Sequence, residues 1–354
     1  MTTPATARVR DALSRQPSIS LATLPTPLYE ATRFRAALGG PARCPRILIK
    51  RDDLTALGLG GNKARKLEYL VADAQAQGAT TLITTGAVQS NHARMTAAAA
   101  CAAGMRCVLA LTTTKATPEL AGNLLLDRLY GATIRLVPSI DPMVAVGNDD
   151  PVVAEAADEE RRAGRTPYVI PVGGSSAVGV FGYVSGTAEL VDQLATAAIA
   201  PSHLYYASGS RGTQAGLTLG AKLCAAPYQV VGIAVSGGEP EKIERAKRIA
   251  NEAAARLGLP ERLDHPDLIT DQQFIGRGYG IPTPAGLEAI AMLARSEGIL
   301  LDPCYTAKAM AALVQHARAA QLDPAGSVVF LHTGGVPALF TSDFAAVAPD
   351  TELR

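Results

Sequence analysis

Net charge is almost absent from this chain: 33 lysines and arginines stand against 32 acidic residues, a formal +1. That balance excludes a broad electrostatic attraction for nucleic acid or an anionic membrane. Long hydrophobic runs are missing as well. No stretch reaches the ~18 uninterrupted apolar residues of a membrane helix, and residues 1–17 carry scattered arginines without the apolar segment of a secretory signal. The expectation is a soluble cytoplasmic protein with neither nucleic-acid nor membrane partners. Cysteine is scarce. Cys44, Cys101, Cys107, Cys224 and Cys304 are an odd number without C-x-x-C spacing, which argues against disulfides and zinc, so no metal site is expected. Two glycine fingerprints are also lacking, the phosphate-binding Gly-x4-Gly-Lys-Ser/Thr and the dinucleotide Gly-x-Gly-x-x-Gly. A nicotinamide dehydrogenase is therefore set aside.

What is present is ample apolar material, 48% of 354 residues, enough for a large core divided over two lobes. Short β-branched runs alternate with Ala- and Leu-rich stretches, the pattern of an α/β protein with parallel-rich sheets covered by helices. Candidate strands are 46–51, 80–84, 106–111, 133–138, 168–171, 203–207, 229–234 and 327–332. Helices are expected near 63–77, 91–104, 119–130 and 152–164. The segment Pro171-Val-Gly-Gly-Ser-Ser176 breaks the alternation, which places a small lobe at 65–171 and a large one at 1–64 with 172–354. Ligands in such folds collect where loops leave the carboxyl ends of strands.

The first of these loops packs glycines directly before a lysine that opens a helix: Gly58-Leu-Gly-Gly-Asn-Lys63. An amine at a helix N-terminus is disfavoured in its charged form, which suits a lysine that forms a Schiff base. The plain alternative is that Lys63, Arg65 and Lys66 are solvated charges on an amphipathic helix. The second loop, Gln89-Ser-Asn-His92, offers a polar cluster that could cradle an anion, or Ser90 and Asn91 could simply cap the following helix. His92 reads as a support residue. The third, Ser208-Gly-Ser-Arg-Gly-Thr-Gln-Ala-Gly216, is either a cup of backbone amides for phosphate or an empty tight turn. Tyr279, Tyr305 and Thr333 lie in later loops.

With Leu24-Pro-Thr-Pro27, Lys50-Arg-Asp-Asp53, Gly60-Gly-Asn-Lys63-Ala-Arg-Lys-Leu-Glu68, Gln89 to His92, Gly209 to Gly216 and His332-Thr-Gly-Gly335 in this order, the chain resembles the fold-type II pyridoxal-phosphate enzymes. That is the two-lobed, tryptophan synthase β-like fold, and the similar branch is the one holding D-cysteine desulfhydrase and aminocyclopropane-carboxylate deaminase. The resemblance implies pyridoxal 5'-phosphate bound to Lys63, Asn91 at the ring hydroxyl, Gly209, Ser210, Arg211, Gly212 and Thr213 at the phosphate, and Thr333 at the pyridine nitrogen. It implies a substrate pocket of Gln89, Ser90, Asn91, Tyr279, Tyr305 and Thr306, with Lys63, Ser90, Tyr279 and Tyr305 catalytic. Relatives are commonly homodimers.

The implied reaction is β-elimination from a small amino acid, with D-cysteine leading: pyruvate, hydrogen sulfide and ammonia would be the products. Thr306 stands where the deaminases show glutamate, which argues against ring opening of aminocyclopropane carboxylate. Arg211 replaces a small residue of the family, which raises L-cysteate and loss of sulfite as a second substrate reading. A non-catalytic amino-acid-binding regulatory protein would share the cleft but has no use for a lysine inside the glycine loop.

Overall fold

The computed structural model describes residues 2–139 and 150–345. Its strands are β1 (Leu28–Glu30), β2 (Arg46–Lys50), β3 (Thr81–Ala87), β4 (Arg106–Thr113) and β5 (Thr133–Pro138). They continue with β6 (Pro167–Val169), β7 (His203–Ser208), β8 (Gln229–Ala234), β9 (Ile269–Asp271) and β10 (Ser327–Leu331). The helices are α1 (Pro4–Ser14), α2 (Thr32–Ala37), α3 (Lys63–Ala76), α4 (Asn91–Ala102), α5 (Gly122–Leu129) and α6 (Pro151–Arg162). After them come α7 (Ala177–Ala197), α8 (Gly212–Leu223), α9 (Glu241–Arg256), α10 (Pro284–Glu297), α11 (Thr306–Arg318) and α12 (Ser342–Ala345).

These strands form two sheets. The larger runs β1-β2-β10-β7-β8-β9, parallel except for the antiparallel pair β1 and β2. The smaller runs β5-β4-β3-β6 and is parallel throughout. All strands of the smaller sheet fall between residues 81 and 169 and all of the larger outside that span. The α/β expectation holds, and each expected strand is present within a few residues. Strands β1 and β9, three residues each, are not among those expected; β6 is equally short and is reached only through the longer run 168–171.

Both faces of the larger sheet are apolar, as parallel sheets under helices require. Val328 and Phe330 of β10 join one core with helices α10 and α11, while Val329 and Leu331 join the other with α7, α8 and α9. The alternation follows from successive side chains pointing to opposite faces.

Helix α7 is the element that sets α3 in place. Tyr69 and Phe181 meet edge to face at 5.7 Å, and the two helices close up where Gly182 faces α3. A Cβ at residue 182 would lie 2.3 Å from Arg65 O and 2.6 Å from Lys66 N. Backbone cannot yield as a side chain can, so Gly182→Ala should cost about 1–3 kcal/mol of stability through overpacking. Calorimetry should show a lowered unfolding midpoint, and an unchanged one would contradict this packing.

Candidate active site

Between β2 and α3 the chain passes through positive φ at Gly58 (53°), Leu59 (68°), Gly60 (74°) and Gly61 (134°). Glycine is required at residue 60, where a Cβ would sit 1.8 Å from Asp53 O. The loop is tied at both sides: Gly61 N–H donates to Thr55 Oγ1 at 2.8 Å, and Asn62 N–H donates to Thr333 O at 3.0 Å. Lys63 then opens α3 on the wall of a cavity of about 600 Å³. Burial lowers its amine to about 8, with no carboxylate paired to it among the described residues. The pKa reduction expected at a helix start is thus present, with desolvation as its cause.

The two basic residues that follow are not surface charges, for Arg65 is 1% and Lys66 0% exposed. Arg65 forks onto Asp52, Nε to Oδ2 at 2.8 Å and Nη2 to Oδ1 at 2.9 Å, and onto Glu189 at 3.1 and 2.9 Å. Asp52 also accepts from Tyr183 and Thr26 at 2.7 Å, and Lys50 pairs with Glu189. Burial pushes the Asp52 carboxyl up, but Arg65 beside it outweighs that and holds it below its ordinary value. Lys66 turns under the N-terminus of α8: its Nζ donates to Gly173 O at 3.0 Å and would stand 2.7 Å from a Cβ at Gly212.

Across the cavity, β3 delivers the 89–92 loop. Ser90 caps α4 by accepting from Ala93 N–H at 3.2 Å and also lines the cavity, so the capping role and a place at the site coexist. His92 is buried against Thr84 Oγ1 at 2.9 Å. Burial, with Lys63 and Lys66 nearby, keeps its imidazole well below the usual range. Gln89 lines a neighbouring cavity together with Asn91, Tyr279 and Tyr305; its Nε2 donates to Ala121 O at 3.0 Å and its Oε1 accepts from Asn123 N–H at 2.9 Å, so its amide also holds the start of α5.

β7 runs into the N-terminus of α8, where Gly209, Ser210, Arg211 and Thr213 line the same cavity and Thr213 Oγ1 accepts from Asn62 Nδ2 at 3.1 Å. Ser210 Oγ accepts from Ser175 at 2.9 Å. Arg211 takes a left-handed φ of 67°. Its buried guanidinium pairs with Glu239 and donates to Ser208 O at 3.0 Å. Arg211 itself lines the cavity, and its backbone belongs to the cup. No motif in the sequence marks Lys242 and Arg245, which line the same cavity from α9. Burial, then repulsion from Arg211 and Arg245, lowers the Lys242 amine to about 8.

Tyr279 and Tyr305 stand edge to face, ring centroids 5.7 Å apart, with their hydroxyls hydrogen-bonded. With Asn91 they form the wall between the cavity and a smaller outer one of about 270 Å³. Burial raises both phenols above their ordinary value. Asp302 fixes the turn at Tyr305 by accepting from the N–H groups of Cys304, Tyr305 and Thr306 at 2.9, 2.9 and 2.7 Å. Lys308 fixes the other loop through Ile275 O and Gly278 O, each at 2.7 Å. Thr306 does not belong to the pocket: it is fully buried and its Oγ1 donates to Asp302 Oδ1 at 2.7 Å. Its neighbour Tyr305 lines the cavity, and Thr306 itself turns inward to Asp302. Thr333 and Gly334 line the cavity, held by His332, whose Nδ1 accepts from Gly334 N–H at 3.2 Å.

This donor set fits pyridoxal phosphate. The cavity lining brings together a desolvated amine with no counter-ion among the described residues and a loop at the α8 N-terminus joined by the cations Arg211, Lys242 and Arg245, suited to a phosphate. A model of the family "Pyridoxal-phosphate dependent enzyme" matches residues 19–334. D-cysteine desulfhydrase of Salmonella choleraesuis (strain SC-B67) is 41% identical over 333 residues, 93% of this chain and 97% of its own. The enzyme of that name from Salmonella typhi is 40% identical over the same shares. A crystal structure of an ACC deaminase homologue superposes with a TM-score of 0.83 at 36% identity, over 94% of this chain and 96% of that one. A pyridoxal 5'-phosphate-dependent aspartate racemase, at 16% identity and a TM-score of 0.63 over 93% of this chain and 94% of its own, shares the fold.

Only the neutral amine attacks an aldehyde. With Lys63 near 8, the rate at which apoprotein captures pyridoxal phosphate should climb to about pH 8 and then level off. A rate still climbing toward the ordinary lysine range in stopped-flow absorbance would contradict the desolvated amine.

Proposed function

The chain belongs to the pyridoxal-phosphate dependent enzymes, and on that premise we propose that it eliminates sulfide from D-cysteine. The net reaction turns D-cysteine and water into pyruvate, hydrogen sulfide and ammonia. When bound, the cofactor withdraws electrons from the α-carbon of an attached amino acid and so acidifies its α-proton. We assign the rest to named residues. Lys63 holds the cofactor and Asn91 its ring oxygen; the 209–213 loop, backed by Lys66, Lys242 and Arg245, holds its phosphate. Thr333, which lines the cavity, would offer the ring nitrogen a neutral hydroxyl instead of a carboxylate.

The observation that carries this reading is one cavity lined by both Lys63 and the hydrogen-bonded Tyr279–Tyr305 pair. Lys63 Nζ, lowered to about 8, takes the α-proton as base, with Ser90 beside it. The tyrosines keep their protons because burial raises them, so one can donate to the departing sulfur. The names of the relatives supply the substrate. In this reading residues 65–171 are the small lobe, the protein is a cytoplasmic homodimer, and no helix among the described residues is long and apolar enough to cross a membrane.

Pyruvate release should be fastest from D-cysteine in a panel with L-cysteine, L-cysteate, β-chloro-D-alanine and aminocyclopropane carboxylate. Arg211→Ala should leave that order unchanged and Lys63→Ala should abolish turnover. Preferential use of L-cysteate, lost in Arg211→Ala, would replace this reading with the sulfo-lyase one.

A further inference from the structure

Asn91 stands on the wall shared by the inner and outer cavities, and an amide there can present either a donor or an acceptor. Its oxygen is already taken, since Asn123 Nδ2 donates to Asn91 Oδ1 at 3.0 Å and Arg94 Nη2 approaches the same atom at 3.5 Å. The end left for the cavity is the Nδ2 donor.

What decides this polarity lies one residue further back. The Asn123 Oδ1 accepts from Arg94 Nε at 3.0 Å, which forces its NH2 toward Gln89 O at 2.9 Å and Asn91 Oδ1. Arginine has donors and no acceptor, so it cannot tolerate the reverse orientation. The Arg94 guanidinium is anchored in turn on Gly60 O at 3.1 Å and Gly58 O, the carbonyls of the lysine loop. Asn123 itself is 0% exposed, so no water competes for these groups. The direction runs from Arg94 through Asn123 and Asn91 into the cavity.

We propose that Asn123 is a positioning residue that, backed by Arg94, fixes Asn91 as a hydrogen-bond donor toward the ring oxygen of pyridoxal phosphate. This rests on the reading that Asn91 meets that oxygen. A donor fixed toward an anionic oxygen contributes more than one facing a neutral group. Without Asn123 the Asn91 amide is free to rotate and turn its own oxygen to the ring.

The test compares apoprotein affinity for pyridoxal phosphate and for its 3-O-methyl analogue, whose ring oxygen carries no charge. Asn123→Leu should weaken the natural cofactor about ten- to hundred-fold and the analogue less than about three-fold, with a shifted absorbance maximum of the bound cofactor. Added to Asn91→Ala, it should weaken binding no further. Asn123→Asp keeps the shape but replaces the donor with an acceptor, and should give the same cofactor-selective loss if the leucine variant folds poorly. Equal losses for the two compounds in either variant, or losses that add to Asn91→Ala, would overturn the proposal. Turnover of D-cysteine is not read, so failure of the substrate assignment would show separately.

Discussion

The fork between Arg65 and Asp52, closed on its far side by Glu189, is the constraint from which the site follows. It joins the end of β2, the first turn of α3 and the middle of α7 inside the core, where an unpaired charge would be costly. Such a network gives little net stability over a well-packed apolar core, yet removing one partner strands the others, at about 3–5 kcal/mol. Its value is positional. Two residues before Arg65 stands Lys63 and one after stands Lys66, so one buried ion pair orients the amine facing the cavity and the amine beneath the α8 loop.

Electrostatics then divides the cavity. Near Lys63 no counter-ion stands among the described residues, and desolvation brings the amine into the range where it can exchange protons near neutral pH. Around α8 and α9 cations gather instead: Arg211, Lys242 and Arg245 line the same cavity, and Arg211 and Arg245 both push the Lys242 amine down, an arrangement that an anion relieves. The tyrosine pair is kept protonated by the same burial that lowers the lysine. One physical cause, removal from water, thus prepares a base and an acid around one cavity, because it always penalises the charged form.

Much of this could be read from the chain because the glycine-lysine loop, the polar loop after β3 and the small-residue loop after β7 each sit at a strand end, where short-range patterns carry their own meaning. The parallel strands were legible for a similar reason, being continuous β-branched runs. Residues whose roles depend on tertiary neighbours were not. Arg65 and Lys66 look like any charges on a helix until α7 and the 171–176 loop cover them. Gln89 and Thr306 fall at site positions in the sequence, but their bonds to the start of α5 and to Asp302 appear only in the fold. Lys242, Arg245, Asn123 and Lys308 belong to no motif and matter only because other elements fold against them.

The central claim, that this network delivers Lys63 and no other amine to the cofactor, can be tested by borohydride reduction of the cofactor-saturated protein followed by peptide mass mapping. The account predicts a single pyridoxyl adduct on the peptide bearing Lys63, lost in Lys63→Ala. An adduct on Lys66, Lys242 or any other lysine of the native protein would contradict it.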